Sequence, residues 1–415
     1  MTSRRPTWWP WLGWAALAAG FYLVNIQRLS TGVLSEAFTA AFMLSAAQLG
    51  TLHAAFFAVY AVLQLPTGII VDRYGSRLTA SVGMATVAAG SLVMATAGGF
   101  AVAIIARVLI GAGASVIFIA ILRYAASWFP PRRFATVAGM TAGVSGIGAI
   151  SAATPLAVLV GTVGVTRSFE LAAVAAAAVA VAIWVVVRRG DAPTDQRRVD
   201  SVGVRAQLRA LLADPDQWLL SLVFFAGNGT TITVMGLWGV PYLVAVYGLS
   251  ITEASVYTLI GSVGILVGGP TLGWLSDRLA MRLRPMIAGL TVTAVALAII
   301  PLIGRPPLWM VAGIYAAVGA SIGVSLLSMT AIKERYPPSA AGVATAAVNT
   351  WGFVGATLLP VAMGLAVDRY RTGAVVGGSV VYTPMGYRIA FAIAAAVVAL
   401  AALAAAGVAR REWRS

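Results

Sequence analysis

The sequence contains no cysteine and a single histidine, His53. Without cysteine there is no disulfide framework, no thiolate nucleophile and no cysteine-bound metal. With one histidine there is no histidine metal cluster. Charge is also scarce. Only 10% of the 415 residues are charged, against ~25% in soluble domains. A soluble enzyme, a disordered chain and a secreted disulfide scaffold are therefore excluded. The 13 acidic residues are the scarcest resource, and Lys333 is the only lysine.

Apolar residues are abundant. They make up 60% of the chain, and the mean hydropathy is +0.91. At roughly 20 residues per crossing, that suffices for about a dozen membrane spans. The 44 glycines and 18 prolines would trouble a soluble fold but are tolerated in membrane helices. The net charge of +15 would suit a nucleic-acid partner. Its placement along the chain argues for membrane topology instead, so no nucleic acid is expected.

The hydropathy pattern predicts helices near 10–36, 47–70, 77–97, 99–122, 135–160 and 167–188. A second set is expected near 217–242, 254–275, 285–304, 307–330, 340–366 and 386–409. No cleavable signal is expected, because the apolar run after Arg4 and Arg5 is too long. The tryptophans at 8, 9, 11 and 14 suit an interfacial belt. Twenty-one of the 28 cationic side chains fall on the side of the N-terminus, and five on the other. The positive-inside rule then places both termini in the cytoplasm. The expected site is the cell membrane, with the lipid bilayer as surroundings and a monomer as the working unit.

The expected organisation is a six-helix bundle over 1–188, a cytoplasmic linker over 189–216 and a second six-helix bundle over 217–415. Val204, Leu208, Leu211 and Leu212 form an apolar stripe in the linker, which suits either an interfacial helix or a loosely ordered connection. The two bundles read as a duplication. Gly68-Ile-Ile-Val-Asp72-Arg73 matches Gly273-Trp-Leu-Ser-Asp277-Arg278, and Phe129-Pro130-Pro131 matches Tyr336-Pro337-Pro338. Such repeats are the pattern of a rocking transporter. The fold class read here is an all-α membrane protein with twelve transmembrane helices in two pseudo-symmetric six-helix bundles.

These motifs resemble those of the major facilitator superfamily. The stretch from Gly68 to Arg77 resembles its signature loop between helices 2 and 3, and Arg107-Val-Leu-Ile-Gly111-Ala-Gly113 its helix 4 motif. A narrower likeness runs from Tyr22 to Gly68, with Trp128-Phe-Pro130. It is similar to the organic anion transporters of the anion:cation symporter group. That resemblance implies a helix 1 arginine that grips the anionic substrate, and Arg28 stands at its position. The proton-coupled members carry an aspartate just before this arginine, where this chain has Gln27. They also tend to carry a helix 4 carboxylate, where this chain has Ala114 and Ser115.

The residues themselves add to this. An arginine inside a bilayer helix costs about 2.5–3.5 kcal/mol on insertion scales, so it is a functional candidate by default. Arg28 is read as lying well inside helix 1, with Asn25 on the same face. It either binds an anion bidentately or bonds helix-end carbonyls. Arg107, early in helix 4, reads as a structural or coupling residue. His53, Phe57, Tyr60 and Gln64 form one stripe of helix 2; Tyr60 and Gln64 match cavity-facing positions of the anion group. His53 is a candidate proton carrier, with a hydrogen-bonded packing role as the alternative. Asn228, Thr231, Met235, Trp238 and Tyr242 form one face of helix 7, suited to a small-molecule site or to a polar helix interface. Asn349, Thr350 and Trp351 repeat this more weakly in helix 11. Helices 3, 6, 9 and 12 are bland and read as lipid-facing supports.

Every acid falls in a loop or at a helix end, so the cavity is expected to be positive and its ligand a small organic anion. Coupling through a carboxylate proton relay is not expected. In the resemblance, Asp72, Arg73, Arg77, Asp277, Arg278 and Arg282 gate the cytoplasmic side; otherwise they are topology charges. A multidrug exporter on the same scaffold is the alternative, but exporters of cationic drugs usually need a buried acid. No nucleophile–base pair, phosphate loop or metal cluster supports an enzyme, and no cofactor or metal is expected.

Overall fold

The computed structural model describes residues 8–187, 211–376 and 379–412. Nearly all of them are helical. Among the described residues, eleven helices are long and apolar enough to cross a membrane. The other expected span, Trp9–Leu29, is 21 residues long. Its tryptophans, Asn25, Gln27 and Arg28 dilute its hydropathy. In the numbering used below, the first helix is Trp9–Leu29, and the second and third run over 46–74 and 76–95. The fourth is Phe100–Trp128, the fifth Pro131–Ser151 continued by Thr154–Val163, and the sixth Val165–Val186. The second half comprises Pro215–Tyr247, Ile251–Leu279, Leu283–Ile303, Leu308–Arg335, Pro338–Asp368 and Pro384–Glu412, the seventh to twelfth.

The duplication is visible in local chemistry. The second and eighth helices both open on a capping box, Ser45/Gln48 in one and Ser250/Glu253 in the other. In each, the serine satisfies one orphan amide of the first turn and the third residue reaches back to the serine's amide. Each of these helices carries an internal proline, Pro66 and Pro270. The fourth and tenth helices are interrupted at Val116 and Ser321. The second helix turns into the third at Gly75, whose φ of 78° is costly for a residue with a Cβ.

The bland helices carry exposed apolar side chains, as the eighth does at Val263 and Trp274. Val174 and Val185 of the sixth, Val295 of the ninth and Leu403 of the twelfth are exposed. The seventh is the opposite: 89% of its apolar window is buried. A large apolar core fills the second half and crosses to Val33, Phe38, Leu44, Ala46 and Leu49 of the first. The halves thus join at the end of the molecule that holds Asp368. Gly32 donates its amide to Gly236 O at 2.8 Å there.

Three expectations need correction. The first helix stops at Leu29 rather than at 36. Ser30 folds its hydroxyl back onto Gln27 O, and the bond from Gly32 to the other half fixes a turn. A short separate helix, Ser35–Phe42, follows. The chain is not purely α-helical: Arg371–Val376 and Ser379–Tyr382 form an antiparallel hairpin. Its valines on either side of Gly377-Gly378 are a hairpin signal that the helix-by-helix reading passed over. Several helices also outrun their expected ends; the fourth reaches Trp128 because Pro130 is the first residue that stops it. Val204 and Leu208 of the linker stripe lie outside the described residues. Leu211 is buried, and Leu212 is exposed and accepts a bond from Trp218 Nε1.

Candidate functional site

The early end of the first helix places Arg28 in its last turn, not well inside it as the sequence suggested. There the guanidinium hangs between the two halves. Its central carbon lies 5.7 Å from the ring centre of Phe57 on the second helix and 5.3 Å from that of Phe353 on the eleventh. Arg28 Nε is buried and has no hydrogen-bond partner. Aromatic faces attract the cation but leave its donors free for a ligand.

Two other candidates close the site on one side. Tyr60 is buried against Phe353, with ring centres 4.4 Å apart. Gln64, one turn further along, accepts a hydrogen bond from Asn349 Nδ2 at 2.9 Å. Arg28, Tyr60, Gln64 and Asn349 are therefore brought together by helices of both halves. Phe353 was missed in the sequence. It lies four residues beyond Asn349, on the same helical face, and extending that stripe by one turn would have found it.

Other candidates face elsewhere. Asn25 donates to Phe21 O and accepts from Ser145 Oγ at 2.8 Å, which ties the first helix to the fifth. Gln27 donates to Ser91 Oγ of the third. The helix 7 face is dispersed by a π-helical turn at Val234–Trp238. Thr231 bonds Val318 O and Ser321 Oγ of the tenth helix. Trp238 donates to Pro360 O of the eleventh. Tyr242 packs on Phe391 of the twelfth. These residues are interior packing and do not line one cavity together. Asn228 is buried beside Gly352, with Nδ2 unpartnered.

His53 is completely buried against Phe57 and Gly236. Neither ring nitrogen has a partner, so its packing role is not a hydrogen-bonded one. Arg107 is also buried, but its donors are used: Gln27 O at 3.0 Å, Thr31 Oγ1 at 3.1 Å and Leu52 O at 3.4 Å. Its plane faces Phe56. The last carbonyls of a helix lack intrahelical partners, and Arg107 serves one of them at the end of the first helix. One arginine thus holds the turn that positions the other.

The duplicated loop motifs sit at the end opposite Asp368. Asp72 pairs with Arg123 at 2.6 Å, and Arg282 with Asp277 at 2.5 Å and Glu334 at 2.8 Å. Arg123 and Glu334 are the partners that the sequence reading missed. Each of these bonds lies within its own half. Glu334, then Asp277, hold the Arg282 guanidinium above its usual pKa range. Arg73, Arg77 and Arg278 lie over Tyr74, Trp184 and Trp274. Asp277 and Glu334 are exposed, and exposed pairs contribute only about 0–1 kcal/mol. Asp277→Asn should therefore leave the melting temperature of the purified protein within a degree or two. A gating role nevertheless requires slower uptake into proteoliposomes; wild-type uptake would reduce Asp277 to a topology charge.

No group of three or more metal-ligating side chains occurs among the described residues. The sequence profile of the Major Facilitator Superfamily matches residues 13–360. The chain is 29% identical over 376 residues to the "Probable nitrate/nitrite transporter NarK2" of Mycobacterium tuberculosis, covering 87% of this chain and 90% of that protein. It is 31% identical over 242 residues to the hexuronate transporter of Bacillus subtilis, 54% of this chain and 56% of that one. Its fold matches the crystal structure of a bacterial homologue of the human lysosomal transporter Spinster, inward-facing and unoccupied. The TM-score is 0.77 at 18% identity, with 96% of each chain covered. The chain therefore belongs to the major facilitator superfamily: it is a multi-pass membrane transporter and not an enzyme.

Proposed function

We propose that the protein carries a small anion across the cell membrane by alternating access, with Arg28 as the residue that grips it. The observation that carries this reading is the Arg28 guanidinium itself, shared between aromatic rings of both halves and with a buried donor unused. A group that touches both halves can couple ligand binding to their relative motion. An unpaired buried charge is costly, and an anion relieves that cost. Nitrate, nitrite and hexuronate, named for the relatives, are all anions. The ligand class is a carboxylate, sugar acid or phosphate ester small enough to sit between Phe57, Tyr60 and Phe353. Gln64 and Asn349 add polar contacts; Asn25, Thr231 and Trp238 act by holding helices in place.

The arginine distribution puts the Asp72 end and both termini in the cytoplasm. The halves are then shut on the external side. Asp72, Asp277 and their arginines gate the cytoplasmic side, and 189–216 links the bundles. Coupling by a carboxylate relay lacks residues, since Gln27 is spent on Ser91. Uniport or anion exchange suits a positive site that returns most easily when reloaded. Export of cationic drugs lacks a mid-membrane acid.

A thermal-shift screen tests the ligand class. Purified protein is heated with carboxylates, sugar acids, phosphate esters, nitrate and cationic drugs. An anion at a hundred times its Kd should stabilise by about 2.7 kcal/mol. Stabilisation by cationic drugs alone would overturn the anion reading.

A further inference from the structure

The second and eighth helices begin alike but are capped differently. The eighth carries its own charge: Ser250 donates its amide and hydroxyl to the Glu253 carboxylate. In the second, the third residue is neutral Gln48, so the positive end of the helix has no charged partner of its own. That partner comes from the other half. Asp368, the last residue of the eleventh helix, accepts from Ser45 Oγ at 2.7 Å and Ala47 N at 2.9 Å through Oδ2. Its Oδ1 accepts from Ala46 N at 2.8 Å and from the Tyr382 hydroxyl at 2.9 Å. The Tyr382 oxygen in turn accepts from Ala46 N at 2.9 Å. Burial and the bond to Asp368 push the Tyr382 hydroxyl well above its usual pKa, so it stays a donor. The hairpin thereby gains a purpose: its second strand delivers this tyrosine.

We infer that Asp368, clamped on the start of the second helix and braced by Tyr382, is a gating residue that holds the two halves shut at this end. The backbones meet here. A Cβ on Gly50 would lie 2.5 Å from Pro360 O, and one on Gly364 would lie 2.5 Å from Ala46 O. Among the described residues, the companion seam between the fifth and eighth helices is held by neutral hydrogen bonds, Ser255 Oγ to Thr154 Oγ1 and Ser262 Oγ to Ala149 O, both 3.2 Å. The charged latch is therefore one-sided. It is also reversible. The amides it satisfies belong to a first helical turn, which water serves equally well once the halves part. The net stabilisation is that of a few charge-assisted hydrogen bonds, small enough for the transport cycle to break.

The inference rests on the alternating-access reading above, and the test separates the two. Because the chain has no native cysteine, Ala40→Cys and Leu302→Cys provide spin-label sites on the two halves at this end. Pulsed dipolar distances are measured in lipid. Asp368→Asn should raise the population of the longer, open distance roughly tenfold, the equivalent of one charge-assisted bond. Tyr382→Phe should raise it less. Gly364→Ala keeps the charge but wedges the seam, and should also favour the open distance. Wild-type distributions in both Asp368→Asn and Gly364→Ala would overturn the latch. Substrate flux is read separately in proteoliposomes of the wild type. A shifted distribution in a protein that carries no anion would keep the latch and discard the transport reading.

Discussion

Arg28→Ala is expected to abolish anion uptake into proteoliposomes, while the purified protein melts no lower than the wild type. The first half of this result follows from the free donors. Hydrogen bonds to a charged group are worth ~1.5–3 kcal/mol each, and a bidentate anion makes two. Their loss lowers uptake at low substrate by roughly a hundredfold or more. The second half follows from the surroundings. Arg28 lies over two phenylalanines with its buried Nε unpartnered, so its removal strips no acceptor of a donor. Arg28→Lys keeps the charge but replaces a planar fork with a point donor, and should restore little uptake. Full uptake by Arg28→Ala would remove Arg28 from the site.

Arg107→Ala has the opposite profile. It is expected to lower the melting temperature by several degrees and to reduce the yield of folded protein. In a site closed to water, Thr31 Oγ1 would lose its donor, Gln27 O would keep only the Ser30 hydroxyl, and Leu52 O only its helix amide. Each buried acceptor left unsatisfied costs about 1–3 kcal/mol. The turn after Leu29 would loosen, so the position of Arg28 and uptake would suffer indirectly. Arg107→Lys reaches fewer of the three acceptors and should fall between. The readout is thermal unfolding in detergent for both arginine variants side by side. If Arg107→Ala melts with the wild type and Arg28→Ala melts below it, the two roles are reversed.

The sequence by itself determined the class of molecule. Composition demanded a membrane protein, and the paired loops at Asp72 and Asp277 exposed the duplication. Intramembrane cost alone singled out Arg28 and Arg107, because a charge is conspicuous in an apolar run whatever it touches. Partners were another matter. Helical spacing fixes which side chains share a face, but not what that face meets. Asn25 was grouped with Arg28 and instead bonds Ser145, 120 residues away. The helix 7 stripe was split among three neighbours by a π-helical turn that leaves the order of residues unchanged. The first helix ends where a glycine amide reaches a carbonyl of the other half. Asp368 was one more acid at a helix end until the fold placed the second helix in front of it. Apart from Ser145 Oγ and the Phe391 ring, the deciding group is a backbone amide or carbonyl of a distant segment. Every residue carries those groups, so no local pattern marks the ones that matter, and only the tertiary structure could choose them.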